Sequence, residues 1–251
     1  MRADRLTTAV ISIALALTFA GCASVGAATP DSELRAYAQE VGAKWHPQGL
    51  LVGGKLGLDF DRLRALSAGA LSRIETIIVS REPSTPNVRM TSVPDLHFLP
   101  SLKRVQFPSV GLRRADGLSG LQLRFLDLSG NPLNDIRFLA TMLQVEDVNL
   151  AGTGITSLPD LSGLAKLRGL TIAETPIRSL NNLETVRSDF DLDVWGCDQL
   201  DDIDALLYAR VRTLTIDENN YERLRDWFAS HLSEIKAKRK FSVEFQLPSR
   251  E

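Results

Sequence analysis

From residue 102 onward the apolar residues of this chain fall on a fixed ruler. Counting each start as position 1, apolar or small interior residues recur at positions 4, 6, 9, 11 and 14. Leu102, Val105, Phe107, Val110 and Leu112 make one copy. Leu123, Leu126, Leu128, Asn131, Leu133 and Ile136 make the next, followed by Val145, Val148, Leu150, Thr153, Ile155 and Leu158. Leu167, Leu170, Ile172, Thr175, Ile177 and Leu180 make a fourth, and the starts lie 21, 22 and 22 residues apart. Around positions 3 to 7 inward and outward residues alternate, the period of a strand with one buried face. The pattern predicts one short strand per copy.

The same ruler runs through the aspartate-rich stretch DFDLDVWGCDQLDDID at 189–204. Asp189 takes the first apolar position, with Leu192, Val194 and Cys197 on positions 4, 6 and 9. Val211, Leu214, Ile216, Asn219 and Tyr221 continue the register. A calcium loop is the competing reading, but alternate strand residues stand about 6.6–6.8 Å apart. Calcium needs its oxygens at about 2.3–2.6 Å, and Leu200 stands where a closing glutamate belongs. The stretch reads as a repeat, and no metal site is assigned.

An earlier copy starts at Ile74, with Ile77 and Val79, and an enlarged loop at 80–98 separates it from Leu102. DFDRLRALSAGALSRI, residues 59–74, and DSELRAYAQEV, residues 31–41, read as helices. Beyond the repeats Leu224, Trp227, Phe228, Leu232 and Ile235 recur at helical spacing, and Phe241, Val243, Phe245 and Leu247 alternate as a strand. A stack of repeats needs covered ends, and these flanks suit that role.

The period and its internal spacing resemble leucine-rich repeats, most closely the 22-residue internalin-like class. The resemblance implies an α/β solenoid: a curved stack with a parallel sheet on the concave face, short helical turns behind it and helical caps at both ends. It also implies an interior polar residue at position 9, usually Asn. Here Asn131 and Asn219 keep it, while Val110, Thr153, Thr175 and Cys197 replace it. Cys197 is therefore expected to be an inert interior thiol. The organisation reads as 1–21 signal peptide, 22–30 tether, 31–73 N-terminal helical cap, 74–224 repeats and 225–251 helix–strand cap.

The signal reading comes from MRADRLTTAVISIALALTFAGC. Arg2 and Arg5 precede an apolar run, Ala9 to Ala20, that is too short to span a bilayer. Phe19-Ala20-Gly21-Cys22 resembles the lipobox of bacterial lipoproteins, with Phe19 where that family prefers Leu. The resemblance implies acylation of Cys22. With Ala23 after the cysteine it implies the outer membrane, the domain facing the periplasm. A secretory cut after Val25-Gly26-Ala27, giving a soluble secreted or periplasmic protein, is the alternative, and a cytosolic chain with an apolar first helix is a third reading.

Composition narrows the function classes. The chain has 251 residues, 44% hydrophobic and 24% charged, which is globular rather than disordered. A net charge of −2 gives no global reason to expect nucleic acid, which is bound by a basic face. His46, His97 and His231 lie on different elements, and no catalytic or cofactor motif is present, so neither an enzyme nor a cofactor is expected. The basic run at 236–240 reads as a helix end, with anionic lipid contact as a minor option.

What remains is a surface. Outward positions 3, 5 and 7 place Arg104, Phe125, Asp127, Asp147, Asn149, Thr171, Asp191, Asp193, Trp195 and Asp217 in rows on the concave face. Two aromatics in an acidic field suit a protein partner, a basic one. A glycan stacked on an aromatic is the competing ligand, and a passive structural role is the distant third.

Overall fold

The computed structural model describes residues 28–53, 57–80, 90–237 and 242–245. Its centre is one sheet of ten strands in chain order. These are β1 (Lys44–His46), β2 (Leu50–Val52), β3 (Thr76–Ile78), β4 (Arg104–Gln106), β5 (Phe125–Asp127), β6 (Asp147–Asn149), β7 (Gly169–Thr171), β8 (Phe190–Asp193), β9 (Val211–Ile216) and β10 (Ser242–Phe245). β1 is antiparallel to β2, and each later strand runs parallel to the one before it. Parallel neighbours need a long return, which the repeat length supplies.

The middle residue of each strand faces inward. Val105, Leu126, Val148, Leu170, Leu192 and Leu214 form one column, none more than 2% exposed. Fully burying each such side chain contributes about 2 kcal/mol. Short 3-10 turns at Asp116–Leu118, Arg137–Thr141, Leu183–Thr185 and Asp204–Leu207 lie on the return path. Their apolar residues Leu118, Leu139, Leu183 and Leu206 close the core from the other side.

Position 9 is a buried polar column. Asn131 accepts from the N–H groups of Gly111 and Leu112 through Oδ1, both at 2.9 Å. Its Nδ2 donates to the carbonyls of Phe107 at 2.7 Å and Leu128 at 2.8 Å. Thr153 and Thr175 each donate from the hydroxyl to the carbonyl three residues back, at 2.7 Å. The Cys197 thiol donates to Ile172 O at 3.1 Å. Burial raises its pKa, so the thiol stays protonated and inert.

Two register expectations are corrected. Asp189 does not occupy an interior position; it is exposed, and Phe190 fills the core with no exposed surface. A bulge makes this possible: Phe190 pairs with Val211 but Asp191 with Thr213, so Arg212 is the extra residue on β9. A carboxylate left in that slot would have lost its water without a partner. Asn219 likewise is exposed, and its neighbour Asn220 is the buried one. The chain turns helical after β9, so the strand-and-return geometry that would bury position 9 ends there.

Helices flank the sheet at both ends. α1 (Pro30–Val41) starts on Thr29, whose hydroxyl accepts from Ser32 N, and stops at Gly42 in a left-handed conformation. The helical expectation at 59–74 is met by two pieces, α2 (Phe60–Arg64) and α3 (Ala68–Leu71). Ser67 divides them because its hydroxyl caps the second, and Glu33 of α1 accepts from the Ser67 N–H at 2.6 Å. The hairpin β1–β2 lies inside the segment expected to be helical, and starts the sheet two strands before the copy at Ile74. At the other end stand α4 (Glu218–Arg223) and α5 (Arg225–Ala237), with Leu224, Phe228 and Ile235 buried. Phe241 and Leu247 lie outside the described residues.

One strand per copy of about 22 residues, a parallel ladder and a polar interior column together make the fold a leucine-rich-repeat solenoid. Replacing Asn131 with Ala strands buried backbone N–H and C=O groups of three segments. The expected loss is about 3 kcal/mol in urea unfolding. A change within about 0.5 kcal/mol contradicts the assigned role.

Candidate functional site

The solvent side of the sheet carries three rows. The strand pairing puts Thr76, Arg104, Phe125, Asp147, Gly169, Asp191 and Thr213 in the first. The second holds Ile78, Gln106, Asp127, Asn149, Thr171, Asp193 and Thr215. The third lies just past the strand ends, and includes Trp195 and Asp217. Eight of the ten residues singled out for this face lie in the first two rows, Trp195 and Asp217 follow the ends of β8 and β9, and they do different things.

In the first row the Arg104 guanidinium lies 4.6 Å from the centre of the Phe125 ring. Phe125 is half-buried and Arg104 exposed, so the pair presents a cationic, aromatic patch. Asp147, exposed on the next strand, leans over Gly169: a Cβ at Gly169 would sit 2.9 Å from its Oδ1. Loss of water, followed by the charge of Glu146, raises the Asp147 pKa against the pull of Arg168 and Arg104. Asp191 is paired with Arg212 at 2.6 Å. Spacing alone missed Arg212 because it enters this face only through the bulge.

In the second row three polar residues turn back on their own backbone. The Oδ1 atoms of Asp127, Asn149 and Asp193 accept from the N–H of Ser129, Ala151 and Trp195, at 2.9, 3.1 and 3.0 Å. These Asx turns end the strands. Burial raises the Asp193 pKa, with the Trp195 N–H opposing the rise and Glu174 adding to it. Thr171 is half-buried between Asn149 and Asp193.

Past the strand ends a further ladder appears. Ser109, Gly130, Gly152, Glu174 and Gly196 all have positive φ, between 56° and 68°. Their N–H groups donate to the next coil: Ser109 to Ser129 O, Gly130 to Ala151 O, Gly152 to Ala173 O and Glu174 to Trp195 O, at 2.7–2.8 Å. Gly196 has no further coil of this kind, and the Asp217 carboxylate replaces the missing carbonyl at 2.8 Å. The same carboxylate caps α4 through Asn220 N at 2.9 Å. Burial pushes the Asp217 pKa up, but these bonds outweigh it and hold it below the ordinary range. Asp217 is thus the terminator of a ladder, and its outward register position misstated its work.

Beside it a cleft of about 500 Å3 is lined by Glu174, Trp195, Gly196, Asp198, Asp217 and Glu218, among others. Glu174 was not among the expected site residues. The signal was available, since it stands 22 residues from both Gly152 and Gly196 on a ruler where glycine recurs. Trp195 is half-buried, and its Nε1–H is buried without an acceptor.

Other chemistry-bearing groups are local. His97 Nδ1 lies 2.6 Å from Asp95 Oδ1, which also accepts from His97 N, so the pair is a turn. Among the described residues no group of three or more His, Cys, Asp or Glu is placed to hold a metal, and no helix is long and apolar enough to cross a membrane. Cys22 lies outside the described residues.

No family model matches this chain, and no curated protein matches it. Among solved structures, an internalin from Listeria monocytogenes is similar at 15% identity and a TM-score of 0.41. The match covers 73% of this chain and 63% of that one, so this chain matches less than two thirds of its length. The fold assignment stands on the ladder geometry.

Asp217→Ala removes a helix cap and the last ladder bond together. It is expected to cost about 2 kcal/mol in urea unfolding, while Asp191→Ala, which breaks an exposed pair, costs less than about 1 kcal/mol. Asp193→Asn keeps the oxygen that takes the Trp195 N–H but removes the charge. A raised folded pKa gives stability that is present in acid and lost as pH rises through that pKa. Asp193→Asn is therefore expected to exceed the unmodified protein in stability at pH 7, the gap closing below the carboxylate range. Denaturant midpoints at both pH values check the sign.

Proposed function

We propose that this chain is a membrane-anchored protein-recognition module of the bacterial envelope, with no catalysis of its own. Its partner docks on the solvent side of the sheet, the concave face of an internalin-like stack whose ends the flanking helices cap. The observation that carries this reading is the Arg104–Phe125 pair, an exposed guanidinium over a half-buried ring at 4.6 Å, mounted on rigid central strands. Preorganised arginine and aromatic groups are what interface energy concentrates on, because ordering them at binding costs little.

The ten residues of this face divide by whether the fold already uses them. Asp217, Asp127, Asn149 and Asp193 serve backbone groups, and Asp191 serves Arg212. Arg104, Phe125, Asp147, Thr171 and Trp195 are left to meet a partner. Acylation at Cys22 would hold the domain on the outer membrane, facing the periplasm. Acyl chains on one cysteine contribute about 0.8 kcal/mol per buried methylene. The eight residues 23–30 set a reach of at most about 28 Å.

The test is capture from detergent-solubilised envelope, comparing the mature domain with Arg104→Ala plus Phe125→Ala after matched thermal melts. A partner whose recovery falls about tenfold or more in the variant supports the assignment. Equal recovery by both overturns it. A glycan retained in place of a protein makes the module a glycan binder.

A further inference from the structure

The cleft beside Trp195 is acidic and uncompensated. Glu174, Asp198 and Glu218 are exposed, and none of their carboxylates has an ion pair or side-chain hydrogen bond among the described residues. The guanidinium of Arg223, which reaches the same turn, bonds the carbonyl oxygens of Cys197 and Asp198 and Asn220 Oδ1, so one positive charge stands beside the three carboxylates without an ion pair to them. Other carboxylates near the cleft are answered: Asp191 by Arg212, and Asp217, which also lines it, by three N–H groups.

Glu174 is held there against its backbone preference. At φ 57° it occupies the left-handed slot that glycine fills in Gly130, Gly152 and Gly196, where glycine carries no Cβ penalty. Its side chain lies across Gly196, where an added Cβ would come within 3.2 Å of Glu174 Cγ. Trp195 forms an apolar wall of the same cleft, and with no acceptor for Nε1–H its ring is positioned by packing alone.

Unpaired carboxylates next to an aromatic face select a cation. A neutral ligand gains stacking only, and an anion is repelled. Among the described residues no group of three or more potential ligands converges to hold a metal, and an organic cation needs no such convergence. A volume of about 500 Å3 admits a long side chain and its head group.

We propose that this cleft receives a lysine or arginine side chain of the partner protein, its charged head among Glu174, Asp198 and Glu218 and its stem along Trp195. This rests on the reading that the strand face binds a protein. It also fixes a polarity: the partner lays a basic residue at the C-terminal end of the stack, and meets Arg104 toward the other.

The test needs no partner. In the isotope-labelled mature domain the indole N–H signals of Trp45, Trp195 and Trp227 are separated, and Trp195→Phe identifies the second. Titration with N-acetyl-arginine methylamide, and with its lysine counterpart, should shift the Trp195 signal and leave Trp45 unmoved. The uncharged citrulline analogue should not shift it. Glu174→Gln plus Glu218→Gln should weaken the response about tenfold, near threefold for each exposed pair. Glu174→Gly keeps the comparison free of folding defects: glycine suits the left-handed backbone, so melting holds or rises while the response falls.

A shift of equal size with citrulline, no shift with either cation, or a response that survives all the glutamate variants overturns the proposal. A shift produced by an oligosaccharide and not by the cations also overturns it. If the cleft fails while capture still depends on Arg104 and Phe125, only the cleft assignment falls. If the cleft responds while capture is indifferent to those two residues, the wider reading of the face is the one that fails.

Discussion

A single coil of this chain has no interior. Its inward residues number a handful, and a strand of three residues cannot shield them from water. They become a core only when the next coil lays its own column against them, as Leu126 does between Val105 and Val148. Backbone hydrogen bonds obey the same rule, because the strand N–H and C=O groups find partners in the neighbouring coil and not in their own. Stability is therefore a property of contacts between coils, and both ends of the stack are exposed problems. At the first end stand α1 and the β1–β2 hairpin, and after β9 come α4, α5 and the last strand, β10.

That constraint governs what the polar residues can do. Wherever a strand stops, its last N–H groups need acceptors, and the cheapest acceptor is a short side chain two residues earlier. Asp127, Asn149 and Asp193 fill that need. Three of the ten residues that looked like a binding surface are thus part of the machinery that ends strands, and a fourth, Asp217, ends the whole ladder. What the fold leaves unused is smaller and sharper: a cation stacked on an aromatic near the middle of the sheet, and an aromatic beside free carboxylates near its end.

The two patches differ in sign as well as place. Arg104 offers positive charge with Asp147 beside it, while the charged residues lining the Trp195 cleft are acidic. A surface with opposite ends of opposite sign orients a partner before contact, since a reversed approach brings like charges together. Such steering acts within about 10 Å at moderate salt, which is comparable to two or three strand spacings. The strained backbone at Glu174 fits this division of labour, because the residue does nothing for the coil that glycine would not do better.

Spacing by itself determined the strands from Thr76 to Thr215, their parallel order, the inward columns and the polar interior at Asn131, Thr153, Thr175 and Cys197. A strict period of about 22 residues leaves few alternatives, because a one-residue slip would turn every leucine outward. It failed where the period itself breaks. The bulge at Arg212 moves Phe190 inward and Asp189 out, the turn into α4 exchanges Asn219 for Asn220, and the β1–β2 hairpin lies before the first copy. Only the tertiary structure decided that Asp191 and Asp217 are occupied, since a hydrogen bond between neighbouring coils joins residues some twenty positions apart and leaves no mark on local pattern. Glu174 and Asp217 make the contrast plain: one was passed over and one singled out, and three-dimensional pairing reverses the order of their interest.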